Sequence, residues 1–150
     1  MKLYSYYNFS KLKIVLSSPI LIFLIVFLFS LWSNPSLIPK LSPDSYGYWS
    51  IAENFSSQNE DASIRPWLFP LFIRVCMVIS PDNWQIALSL IQIFSHSFIT
   101  ILLFSLFKKT KLNIVTCFIF SLIIGLNPNL QVYTTYVLAD LMLAVLTTLS

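Results

Sequence analysis

The stretch Pro43-Asp44-Ser45-Tyr46-Gly47-Tyr48-Trp49 lies in the only long polar interval between two apolar segments of the chain. Ser42 is a residue type that caps helices, Pro43 suits the first helical position, and Asp44 falls in the first turn, where the helix dipole favours a negative charge. The residues that share one face at helical spacing are Asp44, Tyr48, Ile51, Ala52 and Phe55. The pattern predicts a short amphipathic helix on a membrane surface with a carboxylate at its leading end.

The composition is that of an integral membrane protein. The 150 residues are 57% hydrophobic and 10% charged, and their mean hydropathy is +0.77, whereas a soluble domain carries about 25% charged residues. Residues 2–13 and 108–111 contain lysines and no acid, while residues 34–83 hold three basic and five acidic residues. This asymmetry predicts a cytoplasmic N-terminus and an external 34–83 segment, and it gives no sign of nucleic-acid binding.

Four apolar segments predict four transmembrane helices, which together make a polytopic bundle of the all-α class. The first segment is long enough to cross about 30 Å of hydrocarbon, the third is somewhat short, and the fourth falls well short of a crossing within these residues. Short amphipathic surface helices are expected in the first external loop, at residues 34–83. The four predicted spans are residues 14–33, 84–107, 112–126 and 137–150.

Two shorter helices are predicted on the external side. Residues 65–79 are too short to span, contain Arg74 and carry two prolines, so we expect a surface or re-entrant helix there. Residues 130–139 are expected to form a short outer helix that places Asp140 at the mouth of the fourth span, because a carboxylate at mid-bilayer is costly. That span reaches only about ten residues before Ser150. We therefore expect residues 1–150 to be the N-terminal part of a larger transmembrane domain.

His96 and the two cysteines do not by themselves indicate a catalytic or metal-binding site. A single histidine in the middle of the second span favours a neutral, hydrogen-bonded packing residue, and a ligand or proton relay is the alternative. Cys76 and Cys117 lie in apolar surroundings, which is typical of small buried hydrophobic residues and supports neither a disulfide nor a metal pair.

Two carboxylates on the external side, Asp44 and Asp140, suit transfer to an acceptor hydroxyl. One can act as the base, and the pair can orient the acceptor or hold a divalent cation. The alternative for Asp44 is a purely structural role as a charge at the helix N-terminus. Arg65 can bind a phosphate leaving group through two hydrogen bonds. Aromatic side chains offer faces for sugar rings or polyprenyl tails, or serve as interfacial anchors: Tyr46, Tyr48, Trp49, Trp67 and Phe69.

The order of these motifs resembles the start of the GT-C class of membrane glycosyltransferases, which use polyprenyl-phosphate sugars. The class includes protein O-mannosyltransferases and aminoarabinose transferases. Pro43-Asp44-Ser45-Tyr46-Gly47-Tyr48 is followed by Ile51-Ala52-Glu53 and then by Arg65-Pro66-Trp67-Leu68-Phe69-Pro70-Leu71. Asn127-Pro128 and Tyr136-Val137-Leu138-Ala139-Asp140 resemble the later stretch in which a second acid opens a transmembrane helix. The resemblance covers residues 1–150, which correspond to about the N-terminal third of such an enzyme.

The resemblance implies an inverting transfer of a sugar from a polyprenyl-phosphate donor to a lipid, glycan or protein acceptor outside the cytoplasm. Asp44 is similar to the catalytic base, and Asp140 is similar to the second acid, which acts on the acceptor or a metal. Arg65 stands where the family has a donor-phosphate residue. Tyr46, Tyr48 and Trp67 are expected to contact substrate or lipid, although Trp67 stands where the family often has a second proline. We expect no cofactor beyond a divalent metal, and no activity from residues 1–150 alone.

A different class of function stays open from the residues themselves. The chain also fits a non-catalytic remnant or a small four-span scaffold that assists envelope-glycan assembly. A channel or transporter is a weaker alternative, because the predicted spans contain no paired charges and only His96 and Asp140 as ionisable groups.

Overall fold

A computed structural model describes residues 15–54 and 67–136. Arg65, Asp140 and the predicted span 137–150 lie outside these residues. Within them the fold is all-α, as predicted: a parallel bridge between Lys40 and Tyr136 is isolated, and the described ranges contain no β-strand. A 3₁₀ turn, Pro81–Asn83, precedes the longest helix. The helices are α1 (Pro19–Ser33), α2 (Pro43–Glu53), α3 (Leu68–Ile79), α4 (Trp84–Lys108), α5 (Ile114–Gly125) and α6 (Pro128–Val132).

The predicted start of α2 is confirmed. The Ser42 hydroxyl accepts from the Ser45 amide at 3.3 Å, and the Ser45 hydroxyl accepts from the Ser42 amide at 2.9 Å. The two serines therefore form a reciprocal capping box, with Pro43 at the first helical position and Asp44 in the first turn. Of the residues predicted to share one face, Ile51 and Ala52 are buried, whereas Asp44 is exposed at the leading end of the helix.

Asparagine side chains set the boundaries of two later helices. Asn113 Oδ1 accepts from the Thr116 amide at 2.9 Å and begins α5, and Asn127 Oδ1 accepts from the Asn129 amide at 2.9 Å and begins α6. The predicted break at Asn127-Pro128 is therefore where one helix ends and another starts.

The predicted outer helix at residues 130–139 is wrong in extent. The structure has α6 from Pro128 to Val132, followed by a turn and the bridge at Tyr136. The hydroxyls of Thr134 and Thr135 donate to the carbonyls three residues earlier, at 2.7 and 2.8 Å. Threonine hydroxyls compete in this way with the regular helical ladder, so the chain leaves the helix at this point.

Helix α4 connects two apolar clusters at its two ends. Its first half packs on α2 and α3, and its second half packs on α1 and α5. The first cluster consists of Ala52, Phe69, Ile73, Cys76 and Leu88. The second cluster consists of Ile22, Val26, Phe104, Cys117 and Phe118.

Both cysteines are free and buried, in agreement with the role predicted for them as small hydrophobic residues. Burial raises the pKa of the Cys76 thiol, and a backbone hydrogen bond works in the opposite direction. The thiol therefore stays protonated and unreactive at neutral pH.

One stretch of the described chain is long and apolar enough to cross a membrane. It runs from Pro81 to Lys108, which is 28 residues, and an 18-residue window within it has a mean hydropathy of 2.0. Helices α1 and α5 are shorter than the spans predicted around them: α5 has 12 residues, or about 18 Å, against about 30 Å of hydrocarbon. Pro19 at the first position of α1 and the Asn113 cap at α5 account for these later starts.

Gly125, the last residue of α5, allows three helices to meet. A Cβ atom at this position would lie 2.6 Å from Val26 Cγ2 of α1 and 2.9 Å from the Thr100 side chain of α4. These distances are shorter than van der Waals contact, so any larger residue forces the helices apart.

We therefore expect Gly125→Ala to lower the free energy of unfolding by about 1–3 kcal/mol through overpacking. The measurement is thermal or denaturant unfolding of the detergent-solubilised protein. Ser121→Ala is the matched control, because Ser121 is buried on the same helix and its hydroxyl bonds only within that helix. An unchanged midpoint for Gly125→Ala would contradict the packing described for this residue.

Candidate functional site

A backbone contact joins the segment before α2 to the segment after α6. The Lys40 amide donates to the Thr135 carbonyl at 2.7 Å, next to the parallel bridge between Lys40 and Tyr136. The stretch that begins at Pro43 and the stretch that leads toward Asp140 are thereby adjacent at one end of the bundle. The two regions are far apart in sequence, so this adjacency is a tertiary feature.

An open cleft of about 370 Å³ lies between these two segments. We call it the mouth cleft. It offers two tyrosine side chains, a hydroxyl and an amide, which is a combination suited to the polar edge and apolar face of a sugar ring. The lining residues are Ser42, Asn129, Val132, Tyr133 and Tyr136.

The predicted catalytic residue Asp44 lies close to the mouth cleft. It is exposed in the first turn of α2, two residues after the cleft-lining Ser42. Asp44 therefore belongs to the helical turn that begins at the cleft-lining Ser42, although it does not line the cleft itself. Arg65 and Asp140 lie outside the described residues, and their predicted roles stay predictions.

The predicted aromatic contact residues do not gather in one place. Tyr46 is exposed and stacks on Trp49, with 6.5 Å between ring centroids. Tyr48 is half-buried and meets Phe69 edge-on at 5.2 Å, so it helps to pack α2 on α3. Trp67 is exposed immediately before α3. The rings that line the mouth cleft are instead Tyr133 and Tyr136.

Sequence reasoning missed Lys40, Asn129, Tyr133 and Tyr136 as site residues. Tyr133 and Tyr136 are three residues apart and lie within eight residues of Pro128, so their nearness to the Asn127-Pro128 break is the signal that could have identified them. No local pattern marks Lys40, because its place beside Tyr136 depends on pairing between distant segments.

A buried polar layer surrounds the Gly125 carbonyl, between α4, α5 and α6. This carbonyl ends α5 and so lacks a partner within its own helix. The Gln131 side-chain nitrogen donates to it at 2.8 Å, and His96 Nε2 lies 2.9 Å from it. Because a carbonyl only accepts, His96 Nε2 carries a proton. The hydrogen-bonded packing role predicted for His96 is the role that the structure shows.

Gln92 connects this layer to the mouth cleft. Its side-chain nitrogen donates to the Tyr136 carbonyl at 2.7 Å, while its side-chain oxygen is buried without a partner in the described part of the chain. A buried oxygen without a hydrogen bond costs about 1–3 kcal/mol. Gln92 therefore positions the segment 133–136 and contributes little net stability to the bundle.

The described residues hold no cluster of three or more His, Cys, Asp and Glu side chains suited to a metal ion. Asp44 alone is not a metal site. The predicted divalent cation depends on Asp140, which lies outside these residues.

We expect Gln92→Leu to release the segment 133–136 while the bundle stays folded. The reporter is Thr134→Cys in a background with Cys76 and Cys117 changed to Ala, because Thr134 is only 1% exposed. Loss of the Gln92 hydrogen bond should raise the rate of labelling by a water-soluble maleimide about tenfold.

The matched control for this experiment is Ser89→Ala. Ser89 is buried one turn earlier on α4, and its hydroxyl has no hydrogen-bond partner among the described residues. It should leave the labelling rate unchanged. If the maleimide labelling rate is the same with Gln92→Leu as with the native glutamine, Gln92 does not hold residues 133–136.

No protein-family model, curated protein or solved structure is significantly similar to this chain. Its function is therefore inferred from the residues and their geometry. The likeness to the GT-C class rests on the short motifs quoted above.

Proposed function

We propose that this chain belongs to a membrane glycosyltransferase that uses a polyprenyl-phosphate sugar as donor. The observation that carries the proposal is the bond from the Lys40 amide to the Thr135 carbonyl. It joins the Asp44 stretch to the stretch that leads to Asp140, and the mouth cleft lies between them. Nothing in the sequence of either motif requires that their backbones touch, so this contact is support independent of the resemblance.

A multi-pass membrane location is part of the proposal. Helix α1 has a buried stripe and an exposed apolar stripe, each at a spacing of four residues, and the exposed stripe is Ile20, Leu24 and Leu28. Exposed apolar residues on α4 and α5 include Leu90, Phe94, Ile119 and Ile123. Such surfaces suit contact with lipid. The proposed spans are the four segments predicted from the sequence, residues 14–33, 84–107, 112–126 and 137–150, and the last of these lies outside the described residues.

The proposed orientation puts the mouth cleft outside the cytoplasm. Lys108, Lys109 and Lys111 lie at and just after the end of α4, whereas the contact of Gln92 with Tyr136 lies in its first half. The positive-inside tendency assigns the lysine end to the cytoplasm. The N-terminus is then cytoplasmic, and the cleft faces the opposite side.

In the proposed reaction, the Asp44 carboxylate takes the proton of the acceptor hydroxyl. The hydroxyl oxygen forms a bond to the anomeric carbon as the bond from that carbon to the phosphate oxygen breaks. The phosphate leaves with the bonding electron pair, and attack from the opposite face inverts the configuration. Tyr133 and Tyr136 offer the faces against which a sugar ring packs.

Asp140 and Arg65 complete the proposed site. Asp140 orients the acceptor, or holds a divalent cation together with Asp44; such an ion would neutralise charge on the phosphate. Arg65 pairs with the donor phosphate through its guanidinium group.

The test is sugar transfer in membranes that contain the complete gene product. A panel of radiolabelled polyprenyl-phosphate sugars is offered with endogenous acceptors. Asp44→Asn should lower the rate of transfer at least about 100-fold, because a positioned general base contributes about 10²–10⁴, while insertion and expression stay unchanged.

Asp82→Asn is the control, since Asp82 is an exposed acid in the 3₁₀ turn before α4 and lines no part of the cleft. It should transfer at the wild-type rate. Activity of Asp44→Asn within a few fold of wild type would overturn the assignment of the base. Absence of transfer with every donor would favour the scaffold or remnant.

A further inference from the structure

Lys40 is held beside the mouth cleft at two points. Its backbone amide donates to the Thr135 carbonyl at 2.7 Å. Its side-chain ammonium lies 6.0 Å from the centroid of the Tyr136 ring, which lines the cleft. A cation over an aromatic face at this distance is attracted by the ring quadrupole. The side chain is exposed, so the ammonium remains available to a ligand.

The other described basic residue on this side of the bundle, Arg74, is engaged elsewhere. Its guanidinium Nη1 lies 3.5 Å from the carbonyls of Ala52 and Glu53, at the C-terminal end of α2. Helix α2 has 11 residues, or about 16 Å, and the mouth cleft lies at its other end. Among the described residues of the external segment, Lys40 is therefore the cation beside the cleft.

The electrostatics near Lys40 favour an anion. The N-terminus of α2 begins at the cleft and adds the positive end of the helix dipole to the Lys40 charge. Asp44 in the same turn repels an anion. A phosphate is therefore expected on the Tyr136 side of Ser42, away from the carboxylate.

We infer that Lys40, held over Tyr136, binds the phosphate of a phosphate ester in the mouth cleft. The inference rests on the proposed function for the identity of the ester, a polyprenyl phosphate, and adds a residue to which the resemblance assigned no role. It separates two tasks within one cleft. Asp44 acts on the acceptor hydroxyl, and Lys40 holds the leaving group.

The experiment measures binding without sugar transfer. Membranes containing the full chain are irradiated with a sugar-free polyprenyl phosphate that carries a photoreactive group in its tail, and the half-saturating concentration for labelling is determined. Lys40→Gln removes the charge and keeps the backbone bond, and Lys40→Arg keeps the charge. Lys111→Gln removes an exposed charge at the opposite end of the bundle and is the matched control.

Lys40→Gln should raise the half-saturating concentration about tenfold or more, because it removes a charge-assisted hydrogen bond. Lys40→Arg should stay within about threefold of wild type, and Lys111→Gln should match wild type. Saturable labelling that Lys40→Gln leaves unchanged would overturn the inference while the proposed function stands.

Two further arms separate the sources of the phosphate. A polyprenol with the same photoreactive tail and no phosphate should label weakly; equal labelling by both lipids would overturn phosphate recognition and the proposed donor class together. Inorganic phosphate is added as a competitor. Phosphate binding by Lys40 is supported if inorganic phosphate abolishes labelling of the wild type at phosphate concentrations that leave labelling of Lys40→Gln unchanged. In that case the site binds phosphate without the lipid tail.

Discussion

The approach of α5 to α1 and α4 at Gly125 is the constraint on which the rest of the structure depends. The missing side chain allows the three helices to touch, and the terminal carbonyl of α5 accepts hydrogen bonds from α4 and α6. Gly125 thus allows close contact between helices and also provides a hydrogen-bond acceptor for two of them. A helix end buried without such partners is unfavourable, so the bonds from His96 and Gln131 stabilise the buried end of α5.

The mouth cleft depends on fewer interactions than the bundle beneath it. Apolar clusters hold both ends of α4, whereas the hydrogen bonds described between residues 133–136 and distant parts of the chain are those with Gln92 and with the Lys40 amide. Regions with few apolar contacts open more readily than the core. A ligand that bridges Lys40 and Tyr136 would therefore stabilise the contact between their two segments. This difference between the bundle and the rim of the cleft is compatible with the lipid-linked donor proposed above.

Helix positions in this chain are largely local properties. The Ser42 cap, the proline at the start of α2 and the Asn127-Pro128 break act through neighbouring residues, and each is where the sequence predicts it. The lengths of three helices differ from the predicted lengths, although the causes are also local. Pro19 and Asn113 shorten the helices of the first and third predicted spans, and the two threonine hydroxyls after α6 end the helix predicted at residues 130–139. Their hydrogen bonds compete with the helical ladder, which the apolar pattern alone does not reveal.

The sequence by itself determined the all-α class, the α2 cap with its exposed Asp44, the buried role of His96, and the apolar length of α4. These follow from composition, spacing and local hydrogen bonding. Only the tertiary structure decided that Lys40 meets Tyr136, that Tyr133 and Tyr136 rather than Tyr48 line the cleft, and that Gln92 holds its rim. The physical reason is that these contacts join distant segments. The packing of α4 against α5 and α6 determines which residues meet. No repeat or motif in the contacting segments indicates these pairs.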